Sequence, residues 1–354
     1  MFYRENGQFK STYASDQQML PILQDRVFML ALLVFAFGAV PFLVSDYLFL
    51  SLLIPFLILT IAAIGLNLLV GYCGQISIGH AAFMAVGAYA AYNIALRIPQ
   101  LNFLVVLVLA GLIAAAVGVL FGVPSLRIKG LYLAVATLAA QFFTDWLFAR
   151  VKWFTNYSSS GSVSTAPVEM LGWKIGTPAE KYVFLLGLLI VFTVVAKNLV
   201  RSHIGRSWMA MRDMDVAAEV IGIRPVYAKL TAFAVSSFYV GVAGALWGFV
   251  HLGAWEPLAF NLTVSLNLLF MIIIGGMGSL LGSYFGAAFI VILPILLNQA
   301  PQWLGVTVST AMTSHLELMI FGALIIFFLI VEPLGLARLW AVGKEKLRLW
   351  PFPH

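Results

Sequence analysis

The residues of this chain that could make or break bonds are five histidines, one cysteine and a few acids within apolar runs. Their spacing argues against bond chemistry. His80, His203, His251, His315 and His354 are scattered over 354 residues. No H-E-x-x-H or paired-cysteine pattern occurs, so neither a zinc peptidase nor a thiolate metal site can be assembled. Cys73, the single cysteine, excludes an intrachain disulfide. A phosphate-cradling G-x-x-x-x-G-K-[ST] loop is missing as well, since Gly343-Lys344 runs on into Glu345. The chain is therefore expected to bind no metal and no cofactor of its own, and to be no enzyme.

What remains are polar side chains set into apolar sequence: Asn67, Gln75, Ser77, His80, Thr137, Gln141 and Asn267. Thr137 and Gln141 stand four residues apart and share a helix face with Asp145. Such a face can line a water-accessible path for a small solute. It can equally supply hydrogen bonds between helices. Asp145, Glu317 and Glu332 lie near the ends of their apolar runs, where solvent can reach them, rather than deep in a span.

The elements that carry these residues are membrane helices. With 62% hydrophobic and 10% charged residues and a mean hydropathy of +1.01, the chain is no soluble globular domain. No charged residue falls between Asp46 and Arg97, or between Glu256 and Glu317. At about 1.5 Å per residue, either stretch as one helix would far exceed a ~30 Å hydrocarbon core, so each must break and cross again. The apolar runs predict about ten spans: Val27–Ser45, Phe49–Val70, Ile76–Leu96, Asn102–Val123, Leu131–Phe148, Tyr182–Val200, Leu230–Leu252, Leu262–Ile274, Ser283–Leu297 and Glu317–Val331. The eighth is short, and is expected to continue into the glycines after it. The fold class is all-α and polytopic.

With the N-terminus inside, fifteen Lys/Arg fall on the inner side and five on the outer, which favours both termini in the cytoplasm. The turns near Gly74 and Gly278 carry no charge, so only length places them inside. The expected organisation is a cytoplasmic segment 1–26, a membrane domain 27–335 and a basic tail 336–354. The domain includes an outer loop 149–181 with no regular structure and a cytoplasmic loop 201–229.

That inner loop, Arg201–Lys229, is where charge collects. Its centre, Ser207 to Ile221, lacks Pro and Gly and predicts one short helix lying on the membrane surface. Arg206, Arg212, Asp213 and Asp215 would form a charged rim, while Met209, Ala217, Val220 and Ile221 would offer an apolar face to a groove in another protein. Two glycine-broken stretches, Gly71–Gly79 and Gly275–Gly278, occupy comparable places in the two halves, as broken helices around a binding site can.

Four stretches resemble the inner-membrane permeases of bacterial branched-chain amino-acid ABC transporters, most closely the longer of the two paired permeases. They are Gly71-Tyr-Cys-Gly-Gln-Ile-Ser-Ile-Gly-His80 onward, Gly130 through Ala139, Gly205-Arg206 through Lys229, and Gly275-Gly-Met-Gly278 with Glu332-Pro333 near the end. The resemblance implies a membrane path shared with a second permease subunit, two cytoplasmic ATPases that hold the ATP, and a periplasmic substrate-binding protein. It makes the inner loop the coupling segment, with Arg206, Arg212, Asp213, Asp215, Ala217, Ala218 and Gly222 facing the ATPase. Val216 stands where importers of this kind generally carry Glu, and Thr155 through Gly161 departs from the family's glycine-rich run. Branched-chain amino acids are the leading cargo. Urea, amides or aromatic acids, or an ion-coupled secondary transporter working alone, stand as alternatives.

Overall fold

The computed structural model describes residues 23–123, 131–158, 160–165, 168–170, 173–303, 310–332 and 334–349. Most of the expected N-terminal segment, the end of the tail, and Arg127 and Lys129 of the charge count lie outside the described residues.

Helix α1, Leu23–Val34, continues through a π turn to Leu43. Helix α2, Ile54–Asn67, is the middle of a run from Asp46 to Tyr72 that π turns extend at both ends. Then follow α3 (His80–Arg97), α4 (Phe103–Gly122), α5 (Leu131–Arg150) and α6 (Pro178–Arg201). The inner loop forms α7 (His203–Asp213) and α8 (Asp215–Val220), and α9 (Pro225–Leu246) runs on through a π turn to Leu252. Helices α10 (Leu262–Gly275), α11 (Leu280–Trp303), α12 (Thr310–Val331) and α13 (Gly335–Leu349) complete the chain. Eight of these runs are long and apolar enough to cross a membrane, so the protein is a multi-pass membrane protein. The other two expected crossings correspond to α3 and α12.

The centre of the bundle is α2, α3, α4 and α9. They approach closely where side chains are absent: Gly87 of α3 lies on the Gly241 carbonyl, and Gly244 of α9 lies under that of Met84. Small residues at such positions let backbones meet where no water-driven force operates between helices. Tyr89 and Phe83 of α3 and Phe233 of α9 are buried in this core.

Four expectations change. The span drawn from Ile76 starts its helix only at His80, because residues 74–79 are non-helical. Helix α10 runs only one residue into the glycines that follow Ile274. It ends at Gly275, and its crossing is lengthened at the other end by a turn over Pro257–Phe260. The inner loop is not one helix, since Met214 adopts an extended backbone (φ −161°, ψ 96°) that separates α7 from α8. The outer loop is not wholly irregular. It contains β1 (Val163–Ser164), which pairs antiparallel with β4 (Ala254–Trp255), and a hairpin of β2 (Val168–Met170) and β3 (Trp173–Ile175).

The contacts also group the ends of the bundle. Lys344 of α13 pairs with Asp25 at the start of α1, 3.2 Å apart. Gly335 opens α13 against Gly276, and Arg212 of α7 reaches Gly71. At the other end, Asn93 donates to the Phe154 carbonyl, Arg97 lies 3.7 Å over the Trp153 ring, and β1 meets β4. The inner loop, the start of α1, helix α13 and both uncharged glycine turns thus share one end, as an even number of crossings requires.

Candidate functional site: a clamped surface helix and the polar seam behind it

Helix α7 starts at Ser202, whose hydroxyl accepts from the Gly205 N–H as an N-cap. Its inner face is anchored by Trp208, fully buried, with the indole Nε1 donating to Thr231 Oγ1 of α9 at 3.1 Å. Met211, 6% exposed, packs beside it. A Trp buried in this way contributes on the order of 3 kcal/mol of apolar burial, so α7 moves with α9 rather than independently. Helix α8 is held by Ala218, which is buried, and is followed by a turn at Gly222, whose φ of +93° suits glycine.

The coupling residues divide accordingly. Arg206, Asp213, Ala217 and Gly222 are exposed, Asp215 is half-buried in the first turn of α8, and Ala218 faces inward. Arg212 differs from a free rim charge: its Nη1 donates to the Gly71 carbonyl at 3.0 Å, and its Nε and Nη2 bind Asp213 at 2.9 and 2.8 Å. The apolar surface offered outward also changes. Val220 and Ile221 are on it as expected, at 82% and 74% exposure, but Met209 packs partly against the core. Met214 and Val216 complete the exposed patch.

Beneath this helix the two glycine breaks meet. Asn67, on the last turn of α2, accepts from the Gly278 N–H (2.9 Å) and donates to the Ser279 carbonyl (2.8 Å) and Ser283 Oγ (3.0 Å). A side chain at Gly71 would overlap both Asn67 and the Gly278 nitrogen, and Gly278 itself has φ +76°. Only glycine allows both the approach and the turn. Ser279 and Ser283 are partners of Asn67 that sequence reading missed. Their signal was their place, one residue past the break and one helical turn on.

Further in, the non-helical stretch 74–79 and the first turn of α3 lie against α5, α9 and α10. Their buried backbone is satisfied by side chains, as irregular backbone within a membrane protein must be. The Ile78 N–H donates to Thr137 Oγ1 at 3.0 Å, and the Ala81 N–H to Ser265 Oγ at 2.8 Å. His80 lies between two hydroxyls, Ser77 Oγ at 2.8 Å and Ser236 Oγ at 2.9 Å, which satisfy both ring nitrogens in either tautomer. Gln141 donates to the Phe260 carbonyl (2.8 Å) and to Asp145 (2.9 Å), and accepts from Ser265 Oγ (3.1 Å). Ser236 is eleven residues into α9, about 16 Å along it, so this seam sits near the middle of the bilayer.

The residues expected along a translocation path therefore mostly hold segments of the subunit together. Asn67, Ser77, His80, Thr137 and Gln141 are buried and partnered within the subunit. Two stand apart. Gln75 keeps a buried Oε1 with no partner among the described residues, and the half-buried Asn267 side chain makes no hydrogen bond to them. No group of three or more His, Cys, Asp or Glu that could hold a metal occurs among the described residues.

A family model described as the permease component of the branched-chain amino acid transport system matches residues 48–329. The high-affinity branched-chain amino acid transport system permease protein LivM of Escherichia coli is 30% identical over 89% of this chain and 75% of its own length. Its counterpart in Salmonella typhimurium is 29% identical over the same shares. The autoinducer 2 import system permease protein LsrC of an Enterobacter species is 27% identical over 54% of this chain and 57% of its own. No solved structure matches.

Proposed function

The chain belongs to the permease family of the branched-chain amino acid transport system, and from that premise we propose that it is one permease subunit of an ATP-driven importer of branched-chain amino acids in a bacterial inner membrane. Its partners on this reading are a second permease, two cytoplasmic ATPases that bind the ATP, and a periplasmic binding protein. The chain itself holds no ATPase site and no cofactor.

The observation that carries the proposal is the patch of Met214, Val216, Val220 and Ile221. These apolar side chains face outward on α8 and its two flanking residues, while Ala218 of α8 and Trp208 of the preceding α7 are buried inward. An apolar patch rimmed by charge at the end of a membrane bundle is the chemistry of a groove-docked helix. Closure of an ATPase pair beneath it would displace α7 and α8 as a unit, and α6 and α9 with them. A solvated loop without a partner would leave no reason to keep those side chains out of the core.

The polar seam favours a path shared with the second permease. Asn67, His80, Thr137 and Gln141 are committed to hydrogen bonds with remote segments of this subunit and Ser77 to His80, which favours a solute route along another surface. Proteoliposomes holding both permeases, the ATPases and the binding protein test the reading. Uptake of leucine, isoleucine or valine should require ATP on the ATPase side and a loaded binding protein. Gradient-driven uptake by this chain alone, without ATP, would replace the proposal with a secondary transporter. Uptake of urea, an amide or an aromatic acid in preference to leucine would keep the importer and change its cargo.

A further inference from the structure

We propose that Arg212 is a positioning residue of the transport cycle, a strut that carries displacement of the surface helix into the two glycine breaks. The inference rests on the reading of this chain as an ATP-driven permease. Chain connection and the Trp208–Thr231 contact link α7 and α8 to α6 and α9, the helices on either side. Arg212 adds a route to α2, α10 and α11, which are remote from it in sequence.

Three observations build the strut. The guanidinium is held side-on by Asp213 through Nε and Nη2, which fixes its plane and aims Nη1 at the Gly71 carbonyl 3.0 Å away. That carbonyl belongs to the last turn of the Asp46–Tyr72 run, where helix carbonyls lack intrahelical donors and favour a cation. Space for the side chain is made by absent side chains: a Cβ on Gly74 would stand 2.9 Å from Arg212 Cγ, and one on Gly278 would stand 3.1 Å from Nη1. Asn67 then joins the first break to the second by three hydrogen bonds, so whatever moves Gly71 moves the turn from Gly276 to Ser279.

Charge alone does not explain the arrangement. Arg206, one and a half turns earlier on the same helix, is exposed and donates only to the Arg201 carbonyl among the described residues. Of these two arginines only Arg212 reaches the Gly71 carbonyl, while its side chain stays 38% exposed at the rim expected to meet the ATPase.

The test is Arg212→Gln in the complete importer, with Arg212→Lys as the conservative variant. ATPase retention on purification, ATP hydrolysis and uptake per ATP hydrolysed are measured together. With Arg212→Gln the ATPases should co-purify as in the unaltered importer, while uptake per ATP falls about tenfold, the loss expected when one charge-assisted hydrogen bond leaves a coupled network. Arg212→Lys, which keeps a cationic donor, should recover most of that loss. Should Arg212→Gln fail to assemble, Asp213→Asn removes the brace while leaving Arg212 in place and should lower uptake per ATP by about threefold in the importers that retain their ATPases. Unaltered uptake per ATP in Arg212→Gln and Asp213→Asn, or loss of the ATPases with normal coupling in what remains, overturns the strut. Absence of ATP-driven uptake in the unaltered importer overturns the parent reading instead.

Discussion

The polar seam around His80 and the outer face of the inner loop invert the usual distribution of side chains. In the seam, His80, Thr137, Gln141, Ser236 and Ser265 are buried and bonded to one another or to backbone. On the loop, Met214, Val216, Val220 and Ile221 face outward although apolar. In each case the environment supplies the reason. Hydrocarbon cannot hydrogen-bond, so polar groups inside the bilayer must find protein partners. Water penalises exposed apolar surface, and a contiguous patch of it marks where another protein covers it. The seam is therefore what holds the subunit in one arrangement, and the loop is what an outside force can grip.

The comparison breaks first at the anchor of the loop. Trp208→Ala should destabilise the inner end by about 3–5 kcal/mol, the cost of emptying a fully buried aromatic site. Thermal denaturation in detergent and ATPase retention should both fall. An unchanged midpoint with normal retention would mean that α7 is not clamped. Next in size is Gly71→Ala, whose methyl group would press on Asn67 and the Gly278 nitrogen. A cost of about 3 kcal/mol, read as loss of monodisperse protein in detergent, is expected from such overpacking.

Within the seam the effects are smaller. His80→Ala leaves the Ser77 and Ser236 hydroxyls without their shared partner and should cost about 1–3 kcal/mol. Ser236→Ala removes one side of that bridge, with about 0.6 kcal/mol expected from interhelical hydrogen bonds in membranes. If Ser236→Ala lowered uptake sharply at unchanged thermal stability, the seam would be path rather than fastening. The smallest stability effect belongs to the loop's outer face. Val220→Asp with Ile221→Asp should shift stability by no more than ~0.5 kcal/mol, because both side chains are exposed. The same pair should abolish ATPase co-purification. Retention of the ATPases after both changes would remove the functional side of the contrast.

Much of this architecture was legible in the residues. Two uncharged stretches too long for one crossing, and the bias of Lys and Arg to one side, yield a multi-pass bundle, because hydrocarbon thickness and charge placement are enforced residue by residue. The glycines at 71 and 278 read as breaks for the same local reason. Periodicity could not show where a helix restarts after such a break. Residues 74–79 carry two isoleucines between polar residues and glycines, a composition that a helix start could also have. Only the contacts that Ile78 and Gly79 make with Thr137 show that the helix begins later.

By itself, then, the order of residues determined a polytopic helical protein with one sizeable charged inner loop and two glycine-broken crossings. Hydropathy, charge and glycine act over a few neighbours, so they can be read along a line. The tertiary structure alone decided that the two breaks touch through Asn67, that Arg212 turns inward to the Gly71 carbonyl, and that Thr137, His80 and Gln141 bond to other helices. Those partners lie tens to hundreds of residues apart, Asn67 and Ser279 by 212 positions. A hydrogen bond of that reach leaves no local pattern, because either residue alone looks the same whether it lines a path, faces water or meets its partner.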